Sequence, residues 1–315
     1  MQSELLQRLK HCKMLPAIPV LALKILEMCQ DPKAQATTMG DLIGHDPAFA
    51  TKLLSLANSG LYVRIPHRVT SLPQAITLLG MNAVAILAFS FSLYRQLCRG
   101  GSGGFDHSQF WRRSILASVA GRSLAKWANL ADEEVVFLGA LLQDIGMLAL
   151  SVTLTDTYHQ LIVEANGDHD RLQELEHARF SADHAEVGTW LAKQWQLPDG
   201  FQVAIQGSHN PGCVEESPEL QPMVHCVALS GRLADIWCDP ESEKSAREAA
   251  TAASTLLGIE KEALDTILTD VAEGVPRAAD LFEIDLGTPE EIRGILQTAK
   301  AVLLTTTPQD TCPSP

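Results

Sequence analysis

The sequence predicts an all-α protein built as a two-lobed helical bundle. Of its 315 residues, 46% are hydrophobic but only 5% are aromatic, and leucine and alanine, which have high helix propensity, dominate the apolar set. Runs of the residues that strands favour, such as valine, isoleucine, threonine and tyrosine, are scarce. The segment RGGSGG at residues 99–104 interrupts the helical pattern, because glycine and serine give the backbone freedom that helices do not use.

These observations predict five regions along the chain. We expect a first helical lobe over 1–99, a glycine and serine linker over 100–104, and a second lobe over 105–245. A helical extension over 246–306 and a disordered tail over 307–315 complete the chain.

The first lobe opens with a short amphipathic helix in residues 1–15. Apolar residues are dense from Ile18 to Cys29, which predicts a helix that is buried on most sides, and Asp31-Pro32 is expected to end it. The next helix begins at Asp46-Pro47, where an acidic N-cap precedes a proline in the first helical position. It continues through the sequence AFATKLLSLANS.

Two more helices are predicted before the linker. Ser71 and Gln74 have the spacing of a capping box ahead of an apolar run. Gly80 is the expected terminator of that helix, because a helix often ends at a glycine. A further helix is predicted from Asn82 to Leu97.

The second lobe begins with a long helix, SQFWRRSILASVAGRSLAKWA, whose inner side carries Trp111, Ile115, Val119 and Leu124. Acidic residues 132–134 suit the positive end of the following helix, which is predicted to contain Gln143 and Asp144.

Later elements of this lobe also carry end signals. Asp183 and Glu186 predict a capping box that opens the helix HAEVGTWLAKQW, and Leu197-Pro198 is expected to end it. His209 follows a short helix and precedes the turn sequence Asn210-Pro211-Gly212. In the extension, Thr288-Pro289-Glu290-Glu291 predicts another helix start.

Charge and composition exclude several classes of protein. The formal net charge of −14 and the pI near 5.1 oppose direct binding of nucleic acid and of anionic membranes. The longest apolar stretch, Met81 to Leu93, is shorter than the roughly 20 residues of a membrane span. The N-terminus lacks the features of a signal peptide, so we expect a cytoplasmic protein without a membrane anchor.

Seven cysteines without a CxxC pair predict reduced thiols.

The most informative motif is GALLQDIGMLAL, from Gly139 to Leu150. A metal-dependent phosphohydrolase carries His-Asp where this chain has Gln143-Asp144. Imidazole is a good ligand for a divalent transition metal, whereas a neutral glutamine amide is a much poorer one. The motif therefore predicts a hydrolase scaffold without hydrolase chemistry.

Several segments in a fixed order resemble the HDOD domain, the non-hydrolytic signalling relative of the HD metal-dependent phosphohydrolases. The resemblance rests on a proline-rich entry, an I-x-x-D-P-A segment, LLSLANS and SLPQAITLLG between Leu15 and Leu93, followed by GALLQDIG, HAEVGTWL and His209. It covers Leu15 to Asn210. The resemblance implies the two-lobed fold and a bacterial regulatory role, often beside response-regulator, sensor or GGDEF domains; whether this chain stands alone or precedes such a domain stays open.

The same resemblance locates the remains of the HD metal site. The position of the first histidine falls at Arg113 or Ser114, and the His-Asp pair at Gln143-Asp144. His184 and His209 match the later histidines of the binuclear enzymes. The closing aspartate aligns with Leu229 to Gly231, where none is present, and Asp235 lies about one helical turn away.

Two interpretations of these residues stay open. Gln143, Asp144, His184 and His209 are expected to be vestigial metal-site positions that hold no metal or other cofactor. Alternatively, Asp144, His184 and His209 form a two-histidine, one-carboxylate metal site. The other histidines lack ligand spacing and are expected to be ordinary core or surface residues; these are His45, His67, His107, His159, His169 and His225. Cys213, Cys226 and Cys238 do not match zinc-site spacing either and are expected to be packed.

The favoured hypothesis is a non-catalytic regulatory module without catalytic residues, which acts through contacts with signalling proteins and is able to oligomerise. The alternative is a degenerate HD phosphohydrolase that uses Asp144, His184 and His209 on a nucleotide or cyclic dinucleotide. A third hypothesis is a sensor whose former active-site cavity binds a small molecule without converting it. Metal content and ligand-induced stabilisation distinguish these hypotheses.

Overall fold

The computed structural model describes residues 3–17, 20–29, 33–58, 68–97, 104–214 and 218–305. Within these ranges every regular element is helical, which confirms the predicted all-α class. The chain groups into two compact units. The smaller unit comprises Ala17–Arg99 with Asp280–Glu283, and the larger unit comprises Met1–Pro16, Gly100–Ala279 and Ile284–Pro315. Residues 1–16 and most of the C-terminal extension thus group with the second lobe.

The described residues of the smaller unit form five helices around a core of leucine, isoleucine and phenylalanine. They are α2 (Val20–Cys29), α3 (Ala36–Gly44), α4 (Pro47–Ala57), α5 (Leu72–Leu79) and α6 (Met81–Leu97), α1 being Ser3–His11 of the larger unit. Helix α6 is buried along most of its length and packs against α2. The expectation that α2 is buried on most sides is wrong at its start, since Val20 is 69% exposed. The predicted stop at residues 31–32 lies outside the described residues.

End signals in the sequence determine where the helices of this unit begin. The Asp46 carboxylate accepts the backbone N–H groups of Ala48 and Phe49, as the acidic N-cap predicts. Ser71 caps α5 through the N–H of Gln74, but the Gln74 side chain accepts from Thr70 rather than from Ser71, so the predicted box is only half formed. Gly80 has a φ of +89° and separates α5 from α6, which meet at 109°.

The motif LLSLANS has a structural role in the smaller unit. Asn58 follows α4, and its side-chain amide accepts the N–H of Val69 at 2.9 Å and donates to the carbonyl of Val69 at 2.9 Å. The Asn58 amide thus satisfies both backbone polar groups of Val69, as a neighbouring strand would do in a sheet. It thereby ties the C-terminal end of α4 to Val69 ahead of α5, which gives the asparagine of this motif its structural role.

Of the described helices, the larger unit contains α1 and those from α7 onward, except for the last residues of α16, which group with the smaller unit. Those from residue 107 to residue 238 are α7 (His107–Trp127), α8 (Glu133–Leu142), α9 (Ile145–Thr153), α10 (Thr155–Ala165), α11 (His169–Phe180), α12 (His184–Gln194), α13 (Asp199–Gly207) and α14 (Gln221–Cys238). The remaining ones are α15 (Ser242–Leu257), α16 (Lys261–Phe282) and α17 (Pro289–Thr305), with a 3-10 turn at Pro211–Val214. Helix α7 packs between α8 and α14, and the side chains predicted for its inner face are buried.

Helix ends in the larger unit follow the predicted caps with one correction. Asp183 and Glu186 form the full capping box, and Thr288 and Glu291 exchange hydrogen bonds at the start of α17. Gln143 and Asp144, however, do not lie inside a helix. Gln143 is the C-cap of α8 and Asp144 is the N-cap position of α9, because the chain turns between these two helices.

One apolar stretch in the described part of the chain, Glu133–Thr153, has the length and composition of a membrane span. Most of it is buried within the larger unit, where α8 and α9 are core helices. Among the cysteines whose side chains the structure describes, Cys12, Cys213, Cys226 and Cys238 carry free thiols. The predicted linker and tail lie outside the described residues, apart from Gly104.

Candidate metal centre

The junction of α8 and α9 holds Asp144 against the start of α12. Gly146, two residues after Asp144, makes this contact possible: a Cβ atom there would lie 2.0 Å from the carbonyl oxygen of His184 and 2.6 Å from the nitrogen of Gly188. Only glycine allows the backbones of α9 and α12 to approach this closely. The GALLQDIG motif therefore positions Asp144 through its final glycine.

Three histidines reach Asp144 from three other segments of the chain. His169 and His184 are the first residues of α11 and α12, each directly after an aspartate N-cap, and His209 follows α13. All four side chains are buried or nearly so, with exposures of 12% for His169, 7% for His209 and 1% or less for the others. The N-caps Asp168 and Asp183 fix the starts of α11 and α12 and so aim the two imidazoles inward.

The imidazole Nε2 atoms converge on one oxygen of Asp144. Its Oδ1 atom lies 3.2 Å from Nε2 of His209, 3.4 Å from Nε2 of His169 and 3.5 Å from Nε2 of His184. The Nε2 atoms of His184 and His209 are 2.8 Å apart. These four side chains, here termed the His3Asp cluster, therefore present four possible ligand atoms within 4.8 Å of one another.

An outer hydrogen-bond network orients His184. Its Nδ1 atom lies 2.7 Å from Oε2 of Glu176, which also accepts the backbone N–H of His184 at 2.8 Å. The hydroxyl of Tyr158 donates to the other oxygen of Glu176 at 2.6 Å. Since a carboxylate only accepts, Nδ1 of His184 carries a proton, and in the neutral ring Nε2 then presents its lone pair to the cluster.

The other oxygen of Asp144 faces a guanidinium. Nη1 of Arg113 donates to Asp144 Oδ2, while its Nε and Nη2 donate to the two oxygens of Asp235 at 2.7 and 3.2 Å. Of the two residues expected at the position of the first HD histidine, Arg113 on α7 reaches the site, whereas Ser114 donates to the carbonyl of Phe110. Asp235 of α14 is thus part of the site, despite its displacement in sequence from the expected position.

Gln143 lies beside this guanidinium rather than in the His3Asp cluster. Its amide donates to the carbonyl of Ala140 at 3.0 Å, and its Oε1 atom is buried without a hydrogen-bond partner among the described residues. A Cβ atom at Gly231 would lie 2.9 Å from Oε1 of Gln143 and 3.1 Å from Nη2 of Arg113. The missing side chain at Gly231, where the closing aspartate was expected to align, therefore leaves room for both residues.

Burial and charge set the protonation states of the site. Burial alone would raise the pKa of Asp144, but Arg113 and then His169 hold it well below its usual range. Burial lowers the pKa of His169 and of His209, so both imidazoles are neutral, the form that binds metals. Burial would also lower the pKa of His184, yet Glu176 and Asp144 outweigh this effect and raise it to about 10.

A cavity gives access to one side of the site. It has a volume of about 740 Å³ including its mouth, and its wall includes Arg113, Asp144, His169 and Asp235. Apolar side chains from α7, α9, α10 and α11 form much of the remaining wall; these are Phe110, Met147, Ile162 and Leu172, together with Phe105 ahead of α7. A small molecule in this cavity would meet the guanidinium before it met His184.

The structure brings together Asp144, His184 and His209, as the alternative metal-site hypothesis expected, and adds His169. The expectation that His169 is an ordinary histidine is wrong: it is the fourth member of the cluster. Its sequence signal was weak, because it consists only of a histidine directly after a predicted N-cap, the arrangement that His184 also has. The second group with metal-ligand atoms among the described residues, His177, Asp183 and Glu186, is more exposed and contains the capping box of α12.

Comparison with known proteins agrees with the fold and the motif order. The sequence pattern of the HDOD domain matches residues 15–211. An uncharacterized protein of Treponema pallidum (strain Nichols) is 25% identical over 231 residues, 69% of this chain and 41% of that protein, so the chain matches less than half of that relative's length.

Two solved structures share the fold. An HDOD domain protein of unknown function from Geobacter sulfurreducens is 21% identical, with a TM-score of 0.67 over 90% of this chain and 99% of that one. A candidate phosphohydrolase from Shewanella amazonensis SB2B is 22% identical, with a TM-score of 0.67 over 89% of this chain and 97% of that one.

Proposed function

The chain belongs to the HDOD domain family, and we propose that it is a regulatory protein that does not hydrolyse phosphate esters. Within that role it receives or transmits a conformational signal through contacts with other signalling proteins or through a small molecule in the cavity. The formal net charge of −14 opposes nucleic acid as the partner. We propose that the protein acts in the bacterial cytoplasm.

The ion pairs of Arg113 carry this proposal. In an HD enzyme with two metal ions, the aspartate of the His-Asp pair and the closing aspartate are metal ligands. In this chain Arg113 bonds to Asp144 and Asp235 instead. Two-metal hydrolysis requires a second cation that stabilises the attacking and leaving oxygens. A guanidinium has no vacant coordination position for a water nucleophile, and it stays protonated at all physiological pH values.

The neighbouring residues further support the view that Arg113 takes the place of a metal ion. Gln143 stands where the HD enzymes have a histidine ligand, and Gly231 offers no side chain at the expected position of the closing aspartate. Burial alone would lower the pKa of Arg113, but Asp144 and Asp235 raise it above its ordinary value. A metal ion would have to displace a buried, doubly paired arginine from this position.

A second candidate function is a metal-dependent phosphohydrolase that uses a single ion and acts on a nucleotide or cyclic dinucleotide. The His3Asp cluster favours it, since four ligand atoms lie within 4.8 Å of one another. The cavity, which reaches Asp144 and His169, would admit the substrate. We rank it second because four protein ligands fill a tetrahedral ion, whereas catalytic zinc sites keep one position open.

Turnover assays on the full chain separate the two candidates. The protein would be incubated with bis(p-nitrophenyl) phosphate and with a cyclic dinucleotide in the presence of Mn²⁺, Mg²⁺, Zn²⁺ or anaerobic Fe²⁺. We expect the same background rate for the wild type and for Asp144→Asn. Metal-dependent hydrolysis that Asp144→Asn abolishes would overturn the regulatory proposal in favour of the hydrolase.

A thermal-shift screen addresses how the signal enters. A small molecule that binds the cavity of the folded protein raises the apparent melting temperature. The matched variant is Phe110→Ala. It removes an aromatic ring from the cavity wall without changing a residue of the His3Asp cluster. A stabilisation that this variant weakens supports ligand sensing, whereas the absence of any shift across a nucleotide library supports signalling through protein contacts.

A further inference from the structure

We infer that the His3Asp cluster binds one divalent transition metal ion, zinc by its geometry, and that Arg113 serves as a fixed second cation beside it. The inference goes beyond the proposed function, since an ion in this place is compatible with a regulator that has no turnover. It concerns Asp144, His169, His184 and His209, and it replaces the hypothesis that Asp144, His184 and His209 are vestigial positions without a metal.

Four of the six distances between the ligand atoms are close to those of a tetrahedral site. Zinc holds nitrogen and oxygen ligands at about 2.0–2.1 Å, which places neighbouring ligand atoms of a tetrahedron about 3.3 Å apart. The three distances from Oδ1 of Asp144 are 3.2, 3.4 and 3.5 Å, and the distance between Nε2 of His184 and Nε2 of His209 is 2.8 Å. A central ion therefore requires only small side-chain movements.

Hydrogen bonding among the four groups leaves part of the cluster unsatisfied. Nε2 of His169 is buried and has no hydrogen-bond partner in the described residues, although it lies 3.4 Å from Asp144. Nε2 of His184 faces another imidazole nitrogen, so one of these two atoms has to be a donor and the other an acceptor. A cation satisfies all of these lone pairs at once, whereas protons cannot.

The outer network is that of a metal-binding histidine. Ligating imidazoles commonly donate their second N–H to a carboxylate, which fixes the ring orientation and increases the basicity of the ligand. His184 has this arrangement with Glu176, and Tyr158 in turn holds Glu176. A metal ion would take the place of the Nε2 proton that the two carboxylates otherwise stabilise on His184.

The local charge also favours a cation. The site contains the carboxylates of Asp144, Asp235 and Glu176, and among them the guanidinium of Arg113 pairs with Asp144 and Asp235. Uncompensated buried charge is costly, and a metal ion beside Asp144 and His184 would offset the excess of carboxylates. Asp144 then bridges the ion through Oδ1 and the guanidinium through Oδ2.

Metal analysis of the full chain tests the inference. The protein would be purified without chelator and its metal content measured by elemental analysis, then stripped and titrated with Co²⁺, whose visible absorption reports tetrahedral coordination. We expect close to one ion per chain. His169→Ala and His209→Ala should lower the affinity at least 100-fold, while the matched control His225→Ala, outside the cluster, should leave it unchanged.

A second variant keeps the test valid if a ligand substitution prevents folding. Glu176→Gln retains the shape of the outer partner but removes its charge, and it should weaken metal binding about 10- to 100-fold with an unchanged circular dichroism spectrum. Absence of bound metal together with absence of Co²⁺ absorption would overturn the inference. Two ions per chain would overturn the role assigned to Arg113.

The outcomes separate this inference from the proposed function. One bound ion without turnover supports both. One bound ion with metal-dependent hydrolysis supports the metal site and overturns the regulatory proposal. If the protein shows neither bound metal nor turnover, the metal-site inference is overturned and the regulatory proposal stands.

Discussion

Asp144 has a different positive or metal-binding partner at each of its oxygens, and this division defines the site at the scale of single residues. Oδ2 accepts from Arg113, and Oδ1 faces three imidazoles. A carboxylate in this position can bridge two cations. In this chain the first cation is part of the protein, which ties Asp144 to Asp235 across α7 and α14.

Removing the guanidinium tests how strongly the two aspartates depend on it. Arg113→Met keeps the length of the side chain but leaves Asp144 and Asp235 without their main positive partner. Breaking a buried ion pair in this way costs about 3–5 kcal/mol. Urea unfolding followed by circular dichroism should therefore show a large loss of stability.

The control for this measurement is Arg171→Met. Arg171 is half-exposed and pairs with Glu164 and Glu174 on the surface, where an ion pair contributes at most about 1 kcal/mol. Equal effects of the two substitutions would contradict the ion network around Asp144.

Thiol reactivity provides a residue-scale prediction with a pH dependence. Burial raises the pKa of Cys226 to about 12, and only the thiolate reacts with iodoacetamide. At pH 8 about one Cys226 side chain in ten thousand is then a thiolate. This fraction rises tenfold with each unit by which the pH is raised towards 12. Mass spectrometry should find exposed Cys213 alkylated in the native protein and Cys226 alkylated only after unfolding. Equal rates would show that Cys226 is accessible.

At the scale of elements, the crossing of α9 and α12 decides whether the site forms. Each helix contributes a glycine to the crossing, Gly146 and Gly188, and the nitrogen of Gly146 is 3.2 Å from the Cβ position of Gly188. The crossing sets Asp144 at the start of α9 opposite His184 at the start of α12. Helix ends rather than helix faces thus supply most of the His3Asp cluster.

Gly146→Ala should separate these two helices. The new methyl group would meet the backbone of His184 and Gly188, which cannot move like a flexible side chain. Overpacking of this kind costs about 3 kcal/mol or more. Thermal unfolding should show the loss of stability, and metal analysis should show a lower content.

The matched control is Gly294→Ala in α17. A Cβ atom there meets nothing within 4 Å, so alanine should leave stability unchanged or raise it by up to about 1 kcal/mol through its higher helix propensity. A Gly146→Ala protein as stable as this control would contradict the close crossing of α9 and α12.

At the scale of the whole molecule, the inferred metal ion links segments that are far apart in sequence. Its four ligands come from the junction of α8 and α9, the starts of α11 and α12, and the segment after α13. An ion that binds the folded form alone stabilises it by mass action. The larger unit would therefore respond as a whole to the concentration of free metal.

Chelation should lower the melting temperature of the full chain. At free zinc 100-fold above the dissociation constant, the bound ion contributes about 2.7 kcal/mol, which corresponds to about 5–10 °C for a unit of this size. Scanning calorimetry with and without a zinc-selective chelator measures this difference. His209→Ala should show no such difference, and a wild-type protein indifferent to the chelator would contradict the prediction.

Much of the fold was predictable because its causes are local. The caps at Asp46, Asp183 and Thr288 involve residues two or three positions apart, and the apolar period of α7 marks its buried face within one helix. The order of motifs from residue 15 to residue 211 also identified the HDOD family. Helical propensity and capping act within a few residues, so the sequence displays them directly.

The sequence by itself determined the all-α class and most helix ends, and it marked Asp144, His184 and His209 as candidate site residues. Only the tertiary structure decided that His169 joins them and that Arg113 is held by Asp144 and Asp235. These residues are separated by 15 to 122 positions, and no periodicity connects residues so far apart. Their meeting depends on close packing between helices, above all at Gly146, where a missing side chain brings two helix starts together.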